Sequence, residues 1–174
     1  MLDIFKASLQ KWGRIHSLTS DSSSKAIDEN IEDSLYPLEF LEFGKNIADI
    51  GSGAGYPALP LASKLTESHF TLFEPLGKKA SFLLNTSIEM GLKNVTVLQK
   101  RVEEHSGKFD MIISRAVGDI DTILDISSSI STPSTLYLLY SGEIKVGKYK
   151  EIVSTKRRKK RVYCYFKKSE LTHT

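Results

Sequence analysis

From residue 45 onward, short apolar segments that favour strands alternate with segments that favour helices. The segments that predict strands are 46–50, 69–74, 94–99, 109–114 and 135–140. Strands that are separated by helices predict a parallel sheet with both faces covered, because each crossover lays a helix on the sheet. A last alternating segment, "RVYCYF" at residues 161–166, predicts one more strand that closes this sheet.

The region before residue 45 has helical rather than strand periodicity. Its first apolar stripe has spacings of three and four and consists of Leu2, Phe5, Leu9, Trp12 and His16. A second stripe, which predicts a more acidic helix, consists of Ile27, Ile31, Leu35 and Leu38. With 174 residues, the chain is long enough for one well-packed domain. We therefore predict a single α/β domain at 1–174, with a helical extension at 1–44 and a sheet-containing core at 45–174.

Positive charge is concentrated near the C-terminus, although the whole chain carries a formal net charge of only +3. From Lys145 to Thr174 there are eleven Lys or Arg residues and two acids, so the rest of the chain is net acidic. The most basic run consists of Lys156, Arg157, Arg158, Lys159, Lys160 and Arg161. This run has two open interpretations: a surface that binds nucleic-acid phosphates, or an edge strand that lysines guard against aggregation.

The remaining composition bears on compartment and cofactors. No apolar run is long enough to cross a membrane, and the N-terminus lacks the features of a signal peptide. The single cysteine, Cys164, cannot form an internal disulfide and fits a reducing compartment. The four histidines are scattered along the sequence and indicate no metal site. We expect a cytoplasmic protein that needs neither a membrane nor a metal.

Three glycines, Gly51, Gly53 and Gly55, follow the first strand and precede a short helix. A glycine loop at this place lets a ligand lie against the backbone at the carboxyl edge of a parallel sheet. Dinucleotide-binding loops have the pattern G-x-G-x-x-G, whereas this loop has G-x-G-x-G, with Tyr56 where the third dinucleotide glycine would fall. The spacing therefore favours S-adenosylmethionine over a nicotinamide cofactor, although a turn without a ligand can have the same composition.

Two further strand ends carry residues that suit a nucleoside ligand. Glu74 ends the second strand, where a carboxylate can accept hydrogen bonds from a ribose diol. Val102 and Glu103 follow the third strand, where Val102 offers an apolar face to an adenine ring and the backbone can pair with the ring edge. Each has a simpler interpretation as well: Glu74 as a solvated acid, and "VEE" as the start of a helix.

Four segments resemble, in order and spacing, the RsmG/GidB family of bacterial small-subunit ribosomal RNA methyltransferases. They are "DIGSGAGYPALPLA", "EPLGKKASFL", "LKNVTVLQKRVEE" and "FDMIISRAV". Upstream, "KWGRIHSLTS" and "NIEDSLYPL" are similar to the Trp-containing and D-S-L motifs of that family. The resemblance implies a Rossmann-like class I methyltransferase sheet, mostly parallel with an antiparallel strand near the C-terminus. It also implies S-adenosylmethionine-dependent methylation of guanine N7 in the 530 loop of 16S rRNA, with the 30S subunit as partner.

Carried over by position, the resemblance implies a cofactor site lined by Gly51, Tyr56, Val102, Glu103 and Arg115. Arg115 is the one candidate catalytic residue, because it follows the fourth strand, where groups face both cofactor and substrate. Its alternative role is a structural salt bridge at a strand end. The chain departs from the family pattern at Tyr56, where Phe or Leu is common, at Ala58, where Gly is usual, and at Asn30, often His.

Guanine N7 attacks through a lone pair in the ring plane, so its methylation needs no general base. In-line positioning then supplies most of the catalysis, which fits the lack of a visible acid–base pair. Because the purine becomes cationic, we expect Arg115 to anchor a cofactor carboxylate or a phosphate, and Asp33 is a candidate for balancing the charge. We expect residues 156–161 to hold rRNA phosphates, and Tyr163 and Tyr165 to pack against a helix rather than to stack on bases.

Three other functions remain open from the residues alone. A small-molecule methyltransferase with the same core would enclose its substrate under a lid and would have no use for the basic run. An NAD-dependent oxidoreductase is opposed by Tyr56 and by the glycine spacing. A non-catalytic RNA-binding protein of the same fold is opposed by the intact cofactor loop.

Overall fold

The computed structural model of the protein describes residues 1–16, 18, 21–115, 119–142, 149 and 152–171. In this part of the chain, seven strands form one sheet: β1 (Asn46–Ile50), β2 (His69–Phe73), β3 (Val95–Leu98), β4 (Met111–Arg115), β5 (Leu136–Ser141), β6 (Ser154–Arg158) and β7 (Arg161–Lys167). Their order across the sheet is β3-β2-β1-β4-β5-β7-β6.

The described helices surround this sheet. They are α1 (Leu2–His16), α2 (Ser24–Leu35), α3 (Ala58–Ala62), α4 (Gly77–Glu89) and α5 (Ile120–Ile126). Short 3-10 turns occupy Tyr36–Glu39, Val102–Glu104 and Lys168–Leu171. The two predicted N-terminal helices are confirmed, except that Leu38 falls in the 3-10 turn after α2. None of the described helices is both long and apolar enough to span a bilayer.

Strands β1 to β5 are parallel to one another, and β7 is antiparallel to both β5 and β6. This arrangement confirms the predicted Rossmann-like sheet with an antiparallel strand near the C-terminus. The prediction that residues 161–166 close the sheet is wrong, because β7 lies between β5 and β6, and β6 forms the edge. Hydrophobic periodicity cannot reveal β6, since its sequence "STKRR" contains no apolar residue.

Both faces of the sheet are covered by apolar clusters. One cluster joins α1 and α2 to the sheet through residues such as Phe5 and Ile47. The other joins α5 to the opposite face through Ile123 and Phe166. Because successive strand residues point to opposite faces, Asp49 lies on the same face as Ile47, which is the face that the N-terminal helices cover.

Helix α2 is fixed to the sheet by hydrogen bonds at its C-terminal end. The hydroxyl of Tyr140 in β5 donates to the backbone oxygen of Ser34 at 3.1 Å. The hydroxyl of Tyr163 in β7 donates to the backbone oxygen of Asp33, also at 3.1 Å. These carbonyls belong to the last turn of a helix, where intrahelical donors are missing, so the two tyrosines satisfy groups that would otherwise be unpaired.

Candidate active site

Four neighbouring parallel strands end at the same edge of the sheet, because β3, β2, β1 and β4 are adjacent and run in one direction. Gly51 follows β1, Glu74 follows β2, Val102 comes shortly after β3, and Arg115 is the last residue of β4. Such an edge is the place where open α/β sheets bind ligands. The fold therefore brings the glycine loop, Glu74 and Arg115 to one side of the molecule.

The glycine loop is a tight turn that only glycine adopts without strain. Gly51, Gly53 and Gly55 have φ angles of 72°, 52° and 87°. At Gly55, an added Cβ atom would lie 2.7 Å from Leu59 Cδ1, so packing against α3 excludes a side chain as well. At Gly53, the nearest atom to an added Cβ would be a backbone oxygen 3.7 Å away. The backbone at Gly53 is therefore open to a ligand.

Glu74 is 4% exposed and connects the glycine loop to the turn after β2. Its Oε2 accepts the N–H of Gly53 at 2.9 Å, and its Oε1 accepts the N–H of Leu76 at 2.9 Å. Each carboxylate oxygen has a second lone pair, so both remain able to accept a hydrogen bond from a hydroxyl. Glu74 is thus a buried acceptor beside the loop, and its interpretation as a solvated acid is wrong.

Asp49 is a candidate that hydrophobic periodicity does not single out. It is 0% exposed, and neither carboxylate oxygen has a hydrogen-bond partner among the described residues. Burial raises the pKa of Asp49 to about 7; the nearby Ser52 side chain opposes this shift, and the charge of Glu74 adds to it. A buried acid without partners is unfavourable unless a ligand satisfies it. The signal in the sequence is an acid within the otherwise apolar end of β1, directly before the glycine loop.

Arg115 lies between the sheet and α2. Its Nη2 donates to the side-chain oxygen of Asn30, and its guanidinium carbon lies 5.2 Å from the ring centre of Tyr56. Its Nη1 is buried and has no hydrogen-bond partner in the described part of the chain. Burial lowers the pKa of Arg115, the charge of Arg161 adds to this effect, and Asp33 opposes it. Among the described residues no carboxylate pairs with Arg115, so none of them forms the structural salt bridge of the alternative interpretation with it.

The other positions implied by the resemblance lie near this edge in different environments. Tyr56 is 7% exposed and packs edge-on against Phe5 of α1, with 5.1 Å between the ring centres. Val102 is 3% exposed and belongs to the apolar cluster that includes α5, whereas Glu103 is exposed. The segment "VEE" forms a 3-10 turn, which agrees with the simpler interpretation of these residues as a helix start.

The basic run at 156–161 forms the end of β6, a turn and the start of β7. Arg158 contacts Glu32 at 2.9 Å and Asp33 at 3.4 Å. Arg161 contacts Asp33 at 3.3 Å, and Lys159 Nζ lies 3.5 Å from Glu32 Oε2. These contacts hold the hairpin formed by β6 and β7 against α2, so part of the run has a structural role.

The strand register separates the remaining basic residues. Lys156 lies opposite Tyr163, and its Nζ is 5.9 Å from the ring centre of Phe40, on the face that carries α2. Arg157 lies opposite Val162 and therefore points to the other face. Among the described residues, Arg157 and Lys160 form no ion pair. The six basic residues consequently do not form one continuous patch.

The two tyrosines of β7 pack against aromatic residues at and after the end of α2, as predicted: Tyr163 is fully buried and Tyr165 is partly buried. Tyr163 is 0% exposed, and its ring centre lies 5.2 Å from that of Tyr36. Tyr165 packs against Phe40, with 5.6 Å between ring centres. A fully buried ring cannot stack on a base, so Tyr163 is excluded from direct base contact.

A mostly parallel Rossmann-like sheet with one antiparallel strand and a G-x-G-x-G loop at its carboxyl edge defines a class I S-adenosylmethionine-dependent methyltransferase. The solved structure of a SAM dependent methyltransferase from Aquifex aeolicus has the same fold, with a TM-score of 0.63. The match covers 92% of this chain and 96% of that one at 16% identity, so it supports the fold alone.

The sequence also matches a defined family. The profile of the GidB family, described as rRNA small subunit methyltransferase G, matches residues 1–172. Ribosomal RNA small subunit methyltransferase G of Wolinella succinogenes is 42% identical over 151 residues, which cover 86% of this chain and 78% of that protein. The protein of the same name from Aliarcobacter butzleri is 41% identical over 174 residues, covering 95% and 88%. The chain belongs to the rRNA small subunit methyltransferase G family, as its motifs predict.

Proposed function

We propose that this protein transfers a methyl group from S-adenosylmethionine to N7 of a guanine in the 530 loop of 16S rRNA. The observation that carries the proposal is the family's glycine loop at the carboxyl edge of the sheet, beside a buried acceptor and a buried guanidinium. The substrate is proposed to be the 30S subunit, and the compartment the cytoplasm.

The residues at this edge suit S-adenosylmethionine. The open backbone at Gly53 gives the cofactor close approach, and the free lone pairs of Glu74 suit the ribose hydroxyls. Asp49 has two oxygens without a hydrogen-bond partner among the described residues, and they suit the amino group of the methionine part of S-adenosylmethionine. Val102 and Glu103 follow β3, and their backbone is proposed to contact the adenine.

We expect Glu74→Gln to weaken binding of S-adenosylhomocysteine about tenfold, as for the loss of one charge-assisted hydrogen bond. The new amide NH₂ group would also face one of the two backbone N–H donors that the carboxylate now accepts. Isothermal titration calorimetry measures the affinity, and Glu67→Gln at an exposed acid is the matched control. Wild-type affinity in Glu74→Gln would mean that Glu74 only anchors the loop.

S-adenosylmethionine supplies an electrophilic methyl group on a sulfonium. Held in line with that methyl group, guanine N7 would accept it as the S–CH₃ bond broke with its electron pair kept by sulfur, so the positive charge would pass to the purine. No proton moves, so the protein needs to position the reactants rather than to provide a base. Arg115 is proposed to grip an anionic group through its unpartnered Nη1, either the cofactor carboxylate or an RNA phosphate.

The basic residues of the hairpin formed by β6 and β7 are proposed to have two different roles. Arg158 and Arg161 hold α2, as their ion pairs with Glu32 and Asp33 indicate. Lys156, Arg157, Lys159 and Lys160 are exposed and are proposed to contact rRNA phosphates, which add affinity without reading sequence.

We expect the double variant Arg157→Glu, Lys160→Glu to bind 30S subunits about five- to tenfold more weakly and with a smaller salt dependence, because phosphate contacts release counterions. Its melting temperature should stay near that of the wild type, since neither residue forms an ion pair in the described structure. The matched variant Arg158→Glu, Arg161→Glu should instead melt at a lower temperature. If binding by the double variant and by the wild type depended equally on salt, Arg157 and Lys160 would not contact phosphates, which would contradict the proposed roles.

The proposed function is tested by incubating the protein with methyl-labelled cofactor and 30S subunits from a strain that lacks this gene. The rRNA is then digested to nucleosides. Label in 7-methylguanosine is the expected result. Label in another nucleoside, or transfer to a small molecule in a cell extract but not to RNA, would contradict the proposal.

A further inference from the structure

A polar groove lies between the first turns of α2 and the turn of the hairpin formed by β6 and β7. Its volume is about 520 Å³, within the range of small-molecule sites. Helix α2 lines it with Lys25, Ala26, Glu29 and Asp33, and the hairpin lines it with Lys159, Lys160 and Arg161. The α2 wall thus carries two carboxylates and one lysine, and the hairpin wall carries cations.

The groove lies on the face of α2 that also contacts Arg115. Asn30, which accepts the hydrogen bond from Arg115, lies four residues after Ala26 and three before Asp33 on α2. Residues at these spacings occupy the same face of a helix, so Asn30 lies on the face of α2 that lines the groove. The charges of Asp33 and Arg161, both in the groove, also shift the pKa of Arg115 in opposite directions. The groove and Arg115 therefore meet the same face of α2.

Of the carboxylates in the groove, Glu29 is the one left available. Asp33 is paired with Arg158 and Arg161, so its charge is already balanced and it does not suit the role of stabilising a cationic purine. Asp21 accepts a backbone N–H just before α2 begins. Within the described part of the chain, Glu29 is exposed and forms no hydrogen bond or ion pair.

We propose that Glu29 receives the Watson–Crick edge of the target guanine, its two oxygens accepting the N1–H and the 2-amino group. This inference rests on the proposed function. Guanine presents two adjacent donors on that edge, which match a carboxylate, whereas the same edge of adenine and cytosine presents an acceptor next to a donor. Lys159 and Lys160 on the opposite wall then face the phosphates of the displaced nucleotide. Bases in RNA loops are read in this way once they are unstacked.

The same contact also assists the reaction. Methylation at N7 makes the purine cationic, so the N1–H becomes a stronger donor as the C–N bond forms. The hydrogen bond to Glu29 is then stronger in the transition state than in the bound substrate, and an interaction of this kind raises the rate and not only the affinity. Glu29 accordingly acts as both a specificity residue and a catalytic residue.

The test compares wild type with Glu29→Gln on 30S subunits reconstituted with guanosine or inosine at the target position. Inosine keeps N7 and N1–H but lacks the 2-amino group. We expect the wild type to methylate guanosine about tenfold faster than inosine, as for one hydrogen bond to a charged acceptor. Glu29→Gln should be about tenfold slower on guanosine and should prefer guanosine less than threefold. Affinity for S-adenosylhomocysteine should be unchanged, and Glu42→Gln, at an exposed acid outside the groove, is the control.

Two results would overturn the inference about Glu29 while leaving the proposed function intact. One is wild-type turnover by Glu29→Gln. The other is slow turnover by Glu29→Gln with the full preference for guanosine retained, which would indicate a structural role. Label outside guanine N7 in the wild type would instead overturn the proposed function and this inference with it.

Discussion

Replacing Arg115 by lysine should lower single-turnover methyl transfer about 10- to 100-fold, as for the loss of a charge-assisted contact in the transition state. Lysine keeps the charge, but it cannot reproduce the planar guanidinium that bonds Asn30 through Nη2 and offers Nη1 to an anion. The lost bond to Asn30 should cost about 1 kcal/mol, so the melting temperature should fall by only about 2–4 °C.

The matched control for Arg115→Lys is Asn30→Ala, which removes the partner and leaves the guanidinium in place. We expect Asn30→Ala to lose a similar amount of stability but to keep much more of its activity than Arg115→Lys. If both variants lost activity equally, Arg115 would act by holding α2 in position rather than by contacting cofactor or substrate. A large fall in melting temperature with near-normal turnover would show that Arg115 is purely structural.

Replacing Asp49 by asparagine should change how stability depends on pH. The pKa of Asp49 is raised from 3.8 to about 7 by burial, so between these values the folded protein keeps a proton that the unfolded chain loses. The contribution of Asp49 to wild-type stability is therefore fully present at low pH, decreases as the pH rises from about 4 to about 7, and is constant above that. As the pH rises from 5 to 8, the free energy of unfolding of Asp49→Asn should therefore increase by about 2–4 kcal/mol relative to that of the wild type.

Urea unfolding of wild type and Asp49→Asn across this pH range measures the difference, with Asp125→Asn at an exposed aspartate as control. A difference that is constant with pH would mean that Asp49 is ionised in the folded protein throughout. Asp49→Asn should also weaken binding of S-adenosylhomocysteine, because the amino group of that ligand would lose its proposed counter-charge.

The strands, their parallel arrangement and the glycine loop could be predicted because they depend on residues close together in the sequence. The composition of "NIADI" alone predicts a buried strand, and the loop with Gly51, Gly53 and Gly55 follows it directly. The same holds for Glu74 and Arg115, since a residue that directly follows or ends a parallel strand lies at the carboxyl edge whatever the rest of the chain does.

The docking of α2 could not be predicted, because it depends on pairs that are far apart in the sequence. Asn30 and Arg115 are separated by 85 positions, and Glu32 and Arg158 by 126. Periodicity identifies α2 as amphipathic but does not say which charges its polar face meets. For that reason the six basic residues look like one nucleic-acid patch in the sequence, whereas in the structure Arg158 and Arg161 are paired with α2.

The state of Asp49 could not be predicted either. Its position shows an acid in an apolar strand, but its complete burial depends on the helices that cover that face of the sheet. Only the packed structure shows that both of its oxygens are left without a partner among the described residues.

Chain cleavage at 7-methylguanosine tests most directly the proposed methylation of guanine N7 within the 530 loop. 30S subunits from a strain lacking the gene are incubated with the protein and S-adenosylmethionine, and the extracted 16S rRNA is reduced with borohydride and cleaved with aniline. We expect one new cleavage site, in the 530 loop, that requires both protein and cofactor. Cleavage elsewhere in the RNA, or none in the 530 loop when methyl transfer to RNA has occurred, would contradict it.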